Sequence, residues 1–139
     1  DILDSLGIAK AMQDRPREAV EHWLAVLTIE PNRREALLSL MDLAQQRGDI
    51  RQAALYGTRL LKVQPWDDVV HFRMAELSQR LERRGEARRH IQRAIELNPT
   101  RPEYCSWALA YFGDQAESGE LERLRRCLST FSREERQPK

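Results

Sequence analysis

Apolar residues along this chain recur at helical spacing and are interrupted at regular intervals by proline, glycine and charge. Tyr104, Trp107, Ala108 and Tyr111 have the spacing of one helix face, and Leu121, Leu124, Leu128 and Phe131 make a second apolar stripe. Upstream, the interruptions themselves are periodic: Pro31, Pro65 and Pro99 stand 34 residues apart (65 − 31 and 99 − 65). Other positions keep the same step, among them Ala19, Ala53 and Ala87; Trp23, Gly57 and Ile91; Leu3, Leu37 and His71; and Leu6, Leu40 and Met74. A fixed period of this size marks a repeat array. Each proline removes a backbone donor and biases its predecessor away from α geometry, so one stop per unit sets the period. The pattern predicts helices over about 2–13 and 16–29, 33–46 and 50–63, 67–82 and 85–97, then 102–113 and 119–131.

Between the two helices of a unit the chain must break as well. Gly48 and the Asp14-Arg15-Pro16 segment do this, since glycine permits turn conformations and proline is tolerated in a first helical turn. The small residues at 19, 53 and 87 let paired helices approach closely while Leu and Trp fill the space beside them. The last pair is the least regular. Ser118 can cap its second helix, but Arg133 stands where a fourth proline would fall, and "SREERQPK" reads as a frayed polar tail.

These residues resemble the tetratricopeptide repeat (TPR) family, whose pattern sets a large apolar residue, Leu-Gly, an aromatic, an Ala, an aromatic and a Pro at set offsets. The first unit shows Leu3, Leu6-Gly7, Ala19, Trp23, Val26 and Pro31. The second shows Leu37, Leu40, Ala44, Gly48-Asp49, Ala53, Leu60 and Pro65, departing at Gly57, where a bulky residue is usual. The third shows Met74-Ala75, Ala87, Ile91, Ala94 and Pro99, with His71 and Ser78 in packing positions and Gly85 three places later than Gly48. The resemblance implies an all-α, right-handed superhelical solenoid of antiparallel helix pairs. We expect repeats at about 1–33, 34–67 and 68–101, a degenerate closing pair at 102–131 and a tail at 132–139.

Composition agrees with an all-α chain. Of 139 residues 32% are charged and only 6% aromatic, and 23 basic side chains balance 22 acidic ones, so no global field draws the molecule to nucleic acid or membrane. No apolar run approaches the roughly 20 residues needed to span a bilayer, and the first residues lack a signal peptide's order. The chain as given reads as soluble, with the cytoplasm favoured. It starts at Asp1, without Met and already inside a helical pattern, which suggests a piece of a longer protein. Cys105 and Cys127 are too few for a disulfide framework and lack metal spacing; they read as two thiols in or near a core, with a disulfide as the alternative.

In the TPR family the concave wall is built mainly from the first helix of each pair, and the resemblance places function there. Its groove offsets fall on Asp4, Ile8 and Met12; on Leu38, Asp42, Gln45 and Gln46; on Phe72, Glu76, Gln79 and Arg80; and on Ser106, Ala110 and Asp114. Ile8, Leu38 and Phe72 would form an apolar centre bordered by Asp4, Asp42 and Glu76. That arrangement suits a partner peptide or helix with apolar anchors and some basic residues. The cationic clamp with which chaperone-binding members hold a C-terminal carboxylate is missing, since Asp4, Ile8 and Leu38 occupy its offsets. The alternative is a structural role, in which the same wall packs on another copy or on the remainder of the protein.

Other chemistry finds little support. Arg83, Arg84, Arg88, Arg89 and Arg93 make a basic ridge, but without interleaved aromatics it reads as a solvated face with Glu82 and Glu86 as local partners rather than a nucleic-acid contact. His22, His71 and His90 are scattered, with His22 and His90 expected on separate exposed turns. No metalloprotease helix, phosphate-cradling glycine loop, nucleophile elbow or zinc-spaced Cys pair occurs. We therefore expect no catalytic, cofactor or metal site. Asp67-Asp68 reads as a helix start, and Trp23, Trp66 and Trp107 read as packing residues.

Overall fold

Most helices start and stop where the sequence places its punctuation. The computed structural model describes residues 15–136, with side-chain surroundings as far as Ser129. Among these residues there are seven helices and no strand: α1 (Pro16–Ile29), α2 (Arg34–Gln46), α3 (Ile50–Val63), α4 (Asp68–Arg80), α5 (Arg84–Leu97), α6 (Pro102–Phe112) and α7 (Ser118–Arg136). The protein is an all-α chain of antiparallel helix pairs. The helix expected at 2–13 lies outside the described residues. α7 continues past its expected end at 131, since its charged run contains no helix breaker before Pro138.

The period is written in the backbone. α1, α3 and α5 end on the residues preceding the three prolines, Glu30, Gln64 and Asn98, at φ/ψ of −128/88, −134/80 and −143/78. All three lie outside the α region, from which a following proline excludes its predecessor. In each case the cap N–H still reaches back four residues, to Val26, Leu60 and Ala94. The turns inside the pairs also match. Asp49 N–H donates to the Ala44 carbonyl at 2.9 Å and Arg83 N–H to that of Ser78 at 2.8 Å, one period later. The residue that reverses the chain is Gly48 at φ +77 in the first turn and Glu82 at φ +59 in the second. Gly85, the glycine that seemed displaced in the sequence, lies inside α5, and a glutamate takes the left-handed conformation in its place.

The contacts divide the chain into two units, 1–65 and 66–139. In the first, α1 packs on α2 and α2 on α3. Its interior is almost wholly aliphatic and aromatic: Ala19, Trp23, Val26 and Leu27 from α1, Ala36, Leu37, Leu40, Met41, Leu43 and Ala44 from α2, and Ala53, Ala54, Tyr56, Gly57 and Leu60 from α3. Gly57, where the family pattern has bulk, is buried in α3. Arg34 Nε donates to Gln64 Oε1 at 2.8 Å and Arg59 to the Pro31 carbonyl at 2.8 Å, which ties the corner after α1 to the end of α3.

In the second unit α4 packs on α5, α5 on α6 and α6 on α7. Ala75, Ala87, Ile91, Ala94, Tyr104, Cys105, Ala108, Phe112 and Leu124 form its core. Helix α7 supplies only Leu124 among the described buried residues. Its attachment relies on other devices. Cys105 of α6 and Cys127 of α7 are joined as a disulfide, with Cα atoms 6.4 Å apart, where the sequence favoured two thiols. Antiparallel pairing brings these two positions opposite one another, which sequence spacing alone does not show.

Candidate functional site

Asp4, Ile8 and Met12 fall outside the described residues. Leu38, Asp42 and Gln45 lie along one face of α2 in the first unit, with Leu38 and Gln45 half-buried and Asp42 exposed; Gln46 is exposed beside them. Phe72, Glu76, Gln79 and Arg80 lie along α4 in the second unit. Glu76 and Arg80 are exposed, Phe72 and Gln79 half-buried, and Gln79 Oε1 is closed off from solvent without a hydrogen bond. Ser106, Ala110 and Asp114, at the equivalent offsets of α6 and the turn after it, are exposed.

What the second unit brings together is aromatic. The Phe72 ring lies 4.8 Å from that of Tyr104 and 6.1 Å, edge to face, from that of Trp107. Trp107 in turn packs at 4.6 Å on Tyr111, which is 44% exposed. Phe72 is thus partly accounted for by packing onto α6, and the side of the row left open to solvent belongs to Tyr111. Reading the sequence by family offsets missed Trp107 and Tyr111. Their signal was present: the buried face of α6 is Tyr104, Cys105, Ala108 and Phe112, and Trp107, Tyr111 and Asp114 follow one another on the adjoining face at helical spacing.

Charge on this face is largely neutralised within the chain. Burial pushes the Glu76 carboxyl above its ordinary range, while Arg73 and Arg80 on the same helix pull it back. Asp114 lies 3.8 Å from Arg84.

Several residues singled out in the sequence have structural duties different from those expected. The basic ridge is not paired with Glu82 and Glu86. Arg84 donates to the Tyr111 carbonyl at 2.9 Å and stacks 5.0 Å over the Phe112 ring, Arg88 donates to Glu120 at 3.0 Å, and Arg93 to Glu96 at 3.1 Å. Arg84 and Arg88 are bonded to residues in or after α6 and at the start of α7 because α5 packs beside α6 in the unit. Trp66 is 64% exposed in the turn between α3 and α4 and belongs to no core, whereas Trp23 is 1% exposed. Asp67 accepts from Val70 N–H as a helix cap. Asp68 accepts from the Tyr104 hydroxyl at 2.7 Å and from Asn98 at 3.3 Å, which joins α4, the end of α5 and α6. Burial pushes the Asp68 carboxyl up, but the hydrogen bonds from Tyr104 and Asn98 and the charge of Arg101 outweigh it and hold the group below its ordinary range. The Tyr104 phenol, desolvated and donating to that carboxylate, is pushed up to about 12.

The histidines are not scattered on exposed turns. His71 and His90 meet across the α4/α5 pair with their Nδ1 atoms 3.1 Å apart, and both are half-buried. His22 is half-buried against the edge of Trp23. Among the described residues no group of three or more His, Cys, Asp or Glu side chains is placed to hold a metal ion. None of the described helices is long and apolar enough to cross a membrane. A cleft of about 340 Å3 lies between α5 and α7, with Ile95 and Leu124 among its walls and Glu96, Glu120 and Arg123 at its polar edges.

No family model and no curated protein matches the sequence. The fold, by contrast, is shared with solved structures of MamA. A crystal structure of MamA aligns over 97% of this chain and 80% of its own with a TM-score of 0.80 and 15% identity. Another aligns over 94% and 72%, with a TM-score of 0.81 and 17% identity. MamA 41-end from Desulfovibrio magneticus RS-1 aligns over 96% and 74%, with a TM-score of 0.75 and 17% identity. At this level of identity the likeness establishes the fold, a TPR-like helical repeat, and leaves side-chain chemistry to be argued from the residues.

Proposed function

We propose that this chain is a protein-protein interaction module that works by partner capture without chemistry of its own, binding a peptide or helix on the second unit through the face carrying Phe72 on α4, with the face carrying Leu38 on α2 as the candidate contact of the first unit by itself. The reading rests chiefly on one observation: the aromatic row Phe72, Trp107, Tyr111 ends in a tyrosine that is 44% exposed. A large ring left open on a helix face, next to partly buried rings that hold it in place, has the form of an interface anchor. Apolar anchors in the partner are the main requirement. Basic residues add little, because Glu76 and Asp114 already have arginine neighbours that offset their charge.

The test is selection of binders from a library of amphipathic peptides, followed by titration against Tyr111→Ser and Leu38→Ser variants. We expect each substitution to weaken binding about tenfold or more, with Tyr111→Ser leaving the melting temperature nearly unchanged. Loss of stability with binding intact would mean that these side chains serve packing. Light scattering addresses self-association. A dimer abolished by Tyr111→Ser would replace partner capture with the scaffold reading.

A further inference from the structure

The 34-residue step makes one position in the α4/α5 pair stand out. His71 corresponds to Leu37 in α2 and to Cys105 in α6, and His90 corresponds to His22 in α1, to Tyr56 in α3 and to Leu124 in α7. Leu37 is 0% exposed, Tyr56 7%, Cys105 1% and Leu124 6%, and His22 is half-buried, so among the described helix pairs only α4/α5 sets histidine against histidine. At the same place in the seam the α4/α5 pair has two ionisable imidazoles, half-buried, with Nδ1 facing Nδ1 at 3.1 Å and ring centroids 5.3 Å apart.

We propose that His71 and His90 form an acid-sensitive clasp that closes the α4/α5 hairpin when at least one of them is neutral and opens it when both are protonated. The hydrogen-bond arithmetic is short. In the neutral pair one Nδ1–H donates to the other ring's Nδ1 lone pair. A first proton leaves the contact intact, because an imidazolium Nδ1–H can still donate to a neutral Nδ1. A second proton removes the last acceptor and sets two N–H donors and two like charges at hydrogen-bonding distance in a partly desolvated seam. Each ring is carried on a helix whose neighbouring residues, Val70 and Met74 on α4 and Ala87 and Ile91 on α5, are buried, which anchors both ends of the contact.

The surroundings set the direction. Burial lowers the affinity of His90 for a proton below the usual imidazole value of 6.5, and the charges of His71 from α4 and Arg89 from α5 lower it further, while Glu86 from α5 opposes them. Glu120 of α7 is engaged by Arg88 and Glu96 of α5 by Arg93. A group whose folded-state value is depressed in this way binds fewer protons folded than unfolded. Its contribution to stability is therefore present above pH 6.5 and declines as the pH falls through that value towards the folded one. Carboxylates on the same hairpin do not imitate this. Glu76, raised by burial, favours the folded state on acidification, and the Asp68 contribution is lost only below its ordinary value of 3.8. Because α4 also carries Phe72 and Glu76, opening the clasp loosens the face on which the aromatic row is built.

Thermal melts of the wild type and of the His71→Asn/His90→Asn double variant, between about pH 8 and pH 5.5, test the proposal; His22 is common to both and cancels in the difference. The wild type is expected to lose roughly 4–8 °C more than the variant over that range. Parallel curves would overturn the clasp. In the wild type, an NMR titration of the imidazole C–H signals gives a second reading that does not require the variant to fold. Two coupled transitions with one displaced below 6.5 support the clasp, and two independent transitions near 6.5 overturn it.

Discussion

The two units solve the same packing problem with different materials. In the first, α2 and α3 meet through Leu37, Leu40, Met41, Leu43, Ala44, Ala54, Tyr56 and Leu60, so cohesion comes from apolar surface removed from water. In the second, α4 and α5 place a histidine pair at a seam position, the Tyr104 hydroxyl donates to the Asp68 carboxylate, α5 reaches its neighbours through Arg84 and Arg88, and a disulfide fastens α7. Apolar packing is indifferent to pH and redox state, whereas the histidine pair, the Tyr104–Asp68 bond and the disulfide each depend on one or the other. One repeat pattern can therefore hold a robust unit and a responsive one in succession.

Five substitutions would break or sharpen that contrast. Removing the largest buried side chain of the first unit, Trp23→Ala, should cost about 3–5 kcal/mol, read from the urea midpoint, and should do so equally at pH 8 and pH 6 and with or without reductant. In the second unit Cys127→Ser opens a covalent loop with a sequence separation of 22 and should lower stability by about 3 kcal/mol. A reducing agent should lower the wild-type melting temperature by a similar amount and leave that of the variant alone. Asp68→Ala leaves the buried Tyr104 hydroxyl without its acceptor, at a cost of about 1–3 kcal/mol. Since the Asp68 carboxyl is held below its ordinary range when folded, its contribution is present above pH 3.8 and lost as pH falls through the folded value. Acid titration of wild type and variant should therefore converge at the lowest pH. The smallest effect is a gain: Glu82→Gly relieves a side chain in the left-handed region and should raise stability by about 0.5–1 kcal/mol, whereas Gly48→Ala, at the matching turn, should lower it by a similar amount.

Candidate contacts were harder to read than the architecture, for a reason visible at particular residues. The family's groove offsets picked out Leu38 and Phe72, but Phe72 is partly committed to Tyr104 and Trp107, and the ring of that row most open to solvent is Tyr111, one position past the family offset at Ala110. An offset says which way a side chain leaves its helix. Whether another helix has already taken it depends on the neighbour in space. Trp66 shows the reverse: its size suggested a core residue, and its place in a turn leaves it exposed.

The sequence by itself determined the period, the helix pairs and their ends, because proline, glycine and apolar spacing act on the backbone within a few residues. That Glu82 reverses the chain one period after Gly48 emerged only from the backbone, since the sequence drew attention to Gly85 instead. Only the tertiary structure decided that His71 meets His90, that Cys105 meets Cys127 and that Arg84 and Arg88 of α5 serve α6 and α7. Those pairings join residues far apart along the chain, and they exist because antiparallel packing of neighbouring helices brings together side chains that no local rule connects.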